Sequence, residues 1–74
     1  MAMDLRAQFG QNVRHARLWR EITIEALAED AGLSYSYLGE IERGLRNPTL
    51  AVIERLAVSL AVEPHLLLRP LEAQ

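Results

Sequence analysis

Leu27-Ala28-Glu29-Asp30-Ala31-Gly32-Leu33-Ser34-Tyr35-Ser36-Tyr37-Leu38-Gly39-Glu40-Ile41-Glu42-Arg43-Gly44 is the stretch whose reading decides the fold. Apolar residues recur in it at helical spacing on both sides of Gly32-Leu33-Ser34. Gly32 ends the first helix, because glycine takes the left-handed conformation without the steric cost other residues meet. Ser34 begins the second by offering its hydroxyl oxygen to a free backbone N–H. Two short helices joined by so few residues must cross at a large angle and approach closely. Ala28, four residues before Gly32, supplies the small side chain that close approach requires, and Leu27, Ala31, Leu33, Leu38 and Ile41 fill the space between. The pattern predicts helices over Ile24–Ala31 and Tyr35–Arg43, the latter stopped by Gly44.

Outward from this pair, Leu5, Phe9, Val13 and Ala16 form an apolar stripe that predicts a helix from Leu5 to Trp19. Thr23 caps the next helix. Asn47-Pro48 forms a turn, and Thr49 caps a helix from Leu50 to Leu60 with Leu50, Ile53, Leu56, Ala57 and Leu60 facing inward. Glu63 precedes Pro64, which suits a first helical position, and a last turn runs through Leu66, Leu67 and Leu68. Strand-like alternation is absent. The expected architecture is all-α: a compact five-helix bundle forming one domain over residues 1–74, with a core of about 5–68 and a tail of 69–74.

With 74 residues, half of them apolar, the chain supports one modest core. It has no cysteine, so neither a disulfide nor a thiolate metal site is available, and a cytoplasmic location is expected. No run approaches the roughly 18 apolar residues of a membrane span. His15 and His65 lie far apart with no further ligand at metal spacing, and both read as surface residues. The serines, histidines and glycines compose neither a catalytic set nor a phosphate-cradling loop. No enzyme, metal or cofactor is therefore expected.

Net charge is −2, which on its own disfavours a phosphate-rich partner, but its distribution is uneven. Residues 1–20 carry four arginines against Asp4, net +3; residues 21–42 carry six acids and no base, net −6; beyond them four arginines face three glutamates, net +1. Arginine's planar fork matches phosphate and guanine, although a G+C-rich genome also favours arginine. Glu21, Glu25, Glu29 and Asp30 read as a solvated acidic face.

The segment Ile24–Arg43 thus reads as a helix-turn-helix, with Tyr35–Arg43 the helix offered to the major groove of DNA. With Leu38 and Ile41 inward, a turn of about 100° per residue points Ser36, Gly39, Glu40 and Arg43 outward, sets Tyr35 at the N-terminal tip and leaves Tyr37 and Glu42 on the flanks. Gly39 bares the centre of the outward row, at a cost of roughly 1 kcal/mol relative to alanine.

From Phe9 to Leu68 the chain resembles the lambda-repressor-like, Cro/C1-type (XRE) helix-turn-helix family. The resemblance rests on Arg17, on Leu27 to Ser34, on Tyr37-Leu38-Gly39-Glu40-Ile41-Glu42-Arg43-Gly44, on Arg46-Asn47-Pro48-Thr49-Leu50 and on Leu56-Ala57. The run from Tyr37 to Leu50 looks especially like the controller proteins of restriction-modification systems, which are small dimeric regulators. What the resemblance implies is a regulator of transcription that binds palindromic double-stranded DNA. Tyr35, Ser36 and Glu40 match base-reading positions. Arg43, Arg46, Asn47 and Thr49 match phosphate-holding ones, and Arg17 and Glu42 match a semi-buried pair tying the first helix to the third. One position departs from the pattern: the glutamine that usually opens the second helix and contacts phosphate is Ile24 here. Thr23 is left to offer a hydroxyl in its place.

Several residues keep two readings. Glu40 either accepts from a cytosine amino group or belongs to a charge network. Tyr37 either packs on the helix edge or meets phosphate, and Trp19 reads as a partly buried lid over Ile22. Val62, Leu66, Leu68 and Leu71 exceed what a last turn can bury, and they predict a homodimer whose half-sites lie about 34 Å apart. The competing function is a protein-interaction module, antitoxin-like or adaptor-like, which the acidic middle would favour.

Overall fold

The computed structural model describes residues 4–70. Helix α1 covers Leu5–Trp19, α2 Ile24–Ala31, α3 Tyr35–Glu42 and α4 Leu50–Leu60, followed by a 3-10 turn at Pro64–Leu67. Among the described residues the bundle therefore has four α-helices and a short 3-10 turn rather than five helices. The last segment is only four residues long and closes with i→i+3 bonds, as from Leu66 N–H to the Glu63 carbonyl (3.0 Å).

Capping at the start of each α-helix is local. Asp4, Thr23, Ser34 and Thr49 each accept from the backbone N–H three residues on, at Ala7, Ala26, Tyr37 and Val52. The Ala7 N–H holds the Asp4 carboxyl below its usual range, with Arg6 adding to the effect. At the other ends, Gly32 (φ +72°) and Gly44 (φ +77°) occupy the left-handed region. Arg43 forms the cap of α3, so that helix ends one residue earlier than expected.

All four helices contribute to one core: Phe9 and Val13; Leu27, Ala28 and Ala31; Leu38 and Ile41; Val52, Leu56, Ala57 and Leu60; with Leu67 closing it. Two expectations fail. Leu50 is 82% exposed, and Val52 faces inward on its helix instead. The buried side of α4 runs through Val52, Leu56 and Leu60 at fourfold spacing, which turns Leu50 to the opposite face. Trp19 is almost fully exposed and forms no lid over Ile22, because α1 ends there and the chain turns away through Glu21 in the left-handed region.

Close contact between α1 and α3 depends on Gly10. A Cβ at that position would overlap the Ile41 carbonyl oxygen and stand 2.9 Å from that of Glu42. The end of the described chain is fastened to the same helix. Gln8 donates to the Leu68 carbonyl (2.8 Å), and buried Asn12 donates to those of Leu67 (2.9 Å) and Arg69 (2.7 Å). Among the described residues no helix is long and apolar enough to cross a membrane.

Candidate nucleic-acid interface

The corner between α2 and α3 is set by backbone bonds. Leu33 N–H donates to the Ala28 carbonyl (2.8 Å) and Gly32 N–H to that of Glu29 (3.2 Å), which closes α2 and aims α3 away from it. The Ser34 hydroxyl then fixes the first turn of α3 through Tyr37 N–H (3.0 Å). Tyr35 and Ser36 stand exposed on that turn, held by a rigid frame.

Position 39 differs from the expected outward, bare site. Gly39 is buried, and a Cβ there would meet the Arg43 guanidinium at an ordinary 3.5 Å. Arg43 itself is exposed, and its side chain folds back over the glycine.

Glu40 and Arg46 meet at 2.7 Å, from Nε to Oε1. The Arg46 guanidinium also lies over the Tyr37 ring, 5.3 Å from its centroid. The hydrogen bond that Arg46 donates to Glu40 raises the Arg46 pKa further above its already high ordinary value. Tyr37 is half-buried against the core, so the ring is a fixed platform with one face offered to the arginine. Asn47 and Thr49 are exposed beside this cluster. Although the Thr23 and Thr49 hydroxyl oxygens are engaged as caps, each hydroxyl keeps a proton to donate outward. Ile24 packs partly against the core and has no polar atom to give.

Behind the surface, Arg17 joins α1 to α3. Its Nε donates to Glu42 Oε2 (2.7 Å), its second nitrogen to Oε1 (3.1 Å), and its third reaches the Ile22 carbonyl (2.9 Å). Neither carboxylate oxygen nor guanidinium nitrogen is left without a partner, which is what makes a desolvated pair tolerable. Gly10, which brings the two helices into reach, and Asn12, which ties down the chain end, carry no signal in the sequence that would single them out. Gln11, Arg14, His15 and Arg43 also line a shallow open groove between α1 and the end of α3. Among the described residues no three acidic or histidine side chains gather as a metal site.

The sequence model of the helix-turn-helix family HTH_3 matches residues 13–67, which contain every element just described except the first turns of α1. The chain belongs to this family. Its helix-turn-helix relatives include control protein C.BamHI of Bacillus amyloliquefaciens, 41% identical over 69 residues that span 92% of this chain and 85% of that one. The crystal structure of the restriction-modification controller protein C.AhdI from Aeromonas hydrophila superposes with a TM-score of 0.80 at 43% identity, over 82% of this chain and 92% of that chain. SinR, the master regulator for biofilm formation, solved in complex with DNA, gives a TM-score of 0.79 at 37% identity, over 82% of this chain and 98% of that chain.

The apolar residues open to a second chain are not distributed as expected. Val62, Leu66 and Leu68 are half-buried, with Val62 and Leu68 packed on the core, so they offer only part of their surface. Leu71 lies outside the described residues. Leu50 and, at 75% exposure, Val58 present more apolar surface from the outer face of α4.

Proposed function

We propose that this protein is a sequence-specific DNA-binding transcriptional regulator that acts in the cytoplasm as a homodimer on palindromic operator DNA. The observation that carries the reading is the first turn of α3, where Tyr35 and Ser36 project from a corner fixed by Gly32 and Ser34. Arg43, Arg46, Asn47 and Thr49 flank that turn with groups suited to phosphate. The similarity to a structure solved in complex with DNA supports a duplex partner, and the helix-turn-helix geometry favours entry of α3 into the major groove.

In this reading Tyr35 and Ser36 meet base edges, with Glu40 on the same helix. The four flanking residues, Tyr37 and the Thr23 hydroxyl hold the backbone. Dimer contacts draw on the half-exposed Val62, Leu66 and Leu68, on Leu71, and on Leu50 and Val58 of α4. Two half-sites bound together multiply modest individual affinities, which offsets the absence of a phosphate ligand at Ile24. No chemical step belongs to this function.

Selection of bound sites from a random duplex pool tests it. The expected product is an inverted repeat with half-site centres about one helical turn apart, bound with an affinity that falls steeply as salt rises. No binding to any duplex at low salt would overturn the reading in favour of a protein-interaction module.

A further inference from the structure

Glu40 and Arg46 stand at the edge of the reading helix, and both are committed to each other in the unbound protein. Their 2.7 Å bond joins two partly exposed side chains whose backbones are tied to each other. The backbone of the same glutamate holds the segment that bears the arginine: Leu45 N–H donates to the Glu40 carbonyl (2.9 Å), and Gly44 N–H to that of Ile41 (3.0 Å). Gly44 is confined by its positive φ and by Ala7, whose Cα a Cβ at position 44 would approach to 2.9 Å. Tyr37 bounds the guanidinium from a third direction. Arg46 is thus presented to solvent with an acidic partner already in the place a phosphate oxygen would take.

We propose that Glu40 is a specificity latch acting through Arg46, occupying the guanidinium in the free protein and releasing it to phosphate only where a base can take over the carboxylate. This inference rests on the DNA-binding reading above. Only the Nε of Arg46 is bonded to Glu40, so a phosphate that approaches the terminal guanidinium nitrogens meets the carboxylate's charge beside them, and full use of the arginine fork requires Glu40 to move away. On most sequences that charge finds no partner, and the exchange gains little. Where an exposed cytosine amino group lies beneath α3, the carboxylate accepts from it, so phosphate holding and base reading become favourable together. The pair lowers affinity for arbitrary DNA and leaves affinity for the operator nearly intact.

The test measures binding of fluorescent duplexes, one of random sequence and one carrying the selected operator, across a salt series. Wild type, Glu40→Gln, Arg46→Gln and the double variant are compared. Glu40→Gln is expected to bind the random duplex about five-fold more tightly at low salt, equivalent to about 1 kcal/mol, the upper range for an exposed pair. Its log–log salt slope should steepen by about 0.9, the signature of one additional phosphate contact, and its operator-to-random ratio should fall. In the Arg46→Gln background the gain from Glu40→Gln should shrink to less than two-fold.

A gain of equal size in both backgrounds would overturn the latch, leaving Glu40 as a simple repulsive charge. An unchanged random-duplex affinity with loss of the operator alone would overturn it as well, making Glu40 only a base reader. If wild type binds neither duplex at low salt, the DNA-binding reading itself falls. The pair can still be examined without DNA, through the Arg46 Nε proton by nuclear magnetic resonance. Slow exchange with water in wild type and fast exchange in Glu40→Gln would show the contact to be real in the free protein. Fast exchange in both would overturn the latch independently.

Discussion

Two arginine–glutamate pairs leave nearly opposite sides of the chain's short third helix, from Glu42 and from Glu40, and they behave as different kinds of object. Arg17 and Glu42 have side chains only 8% and 3% exposed, whereas Arg46 and Glu40 are 53% and 34% exposed. Both bonds measure 2.7 Å. Distance therefore says nothing about their roles, and solvent says nearly everything. The inner pair cannot open without stranding a charge, so it joins α1 to α3 permanently. Water and counterions can replace either partner of the outer pair, which makes it weak as a strut and usable as an exchangeable contact.

The comparison breaks most sharply at Arg17. Arg17→Ala should lower stability by about 3–5 kcal/mol, because Glu42 would remain buried without its fork, and for a domain this small that approaches the whole stability. Thermal unfolding followed by circular dichroism checks it, and a midpoint within a few degrees of wild type would show the inner pair to be dispensable.

Gly10→Ala comes next. A methyl group there must push α3 away from α1, with an expected cost of about 1–3 kcal/mol in urea unfolding, and the Arg17–Glu42 bond should loosen with it. A neutral result would mean that the two helices have room to spare. Gly39→Ala should have the opposite sign, since its methyl would make only ordinary contact with Arg43; removing a helical glycine then raises stability by up to about 1 kcal/mol. Loss of stability in the same unfolding assay would mean that Arg43 cannot adapt.

Glu40→Gln should have the smallest effect on folding, a change within about 0.5 kcal/mol. A larger loss would place the outer pair in the same class as the inner one, and the contrast between them would disappear.

Much of the fold is legible in the sequence where the controlling chemistry is local. The limits of α1, α2 and α4 agree with the expected ones to the residue, because Thr23, Thr49, Gly32 and the flanking polar residues act on their own neighbours. What depends on remote partners is not legible. Gly10 looks like any helical glycine until Ile41 is set against it, and Asn12 looks like a surface amide until the chain returns to it. Leu50 was misplaced because a short helix does not reveal its phase when apolar residues occupy both of its faces. Leu50, Val52, Ile53, Leu56 and Val58 admit more than one inward direction, and the core selects among them. The surface residues of the candidate site could be chosen by position along α3, but their pairing could not. Which partner Glu40 takes depends on how Gly44 turns the chain after the helix.

The bonds from Gln8 and Asn12 to the last described residues set a lower limit on how much chain makes a self-sufficient unit. Ending at Leu60, where the last α-helix stops, would discard Leu67 from the core and remove all three carbonyl acceptors. The Asn12 amide, 6% exposed in the folded chain, would lose both of its carbonyl acceptors together with the segment that packs over it. The boundary of the folding unit is therefore drawn by carbonyl oxygens in an irregular segment, not by the end of a helix, and the minimal fragment must reach Arg69.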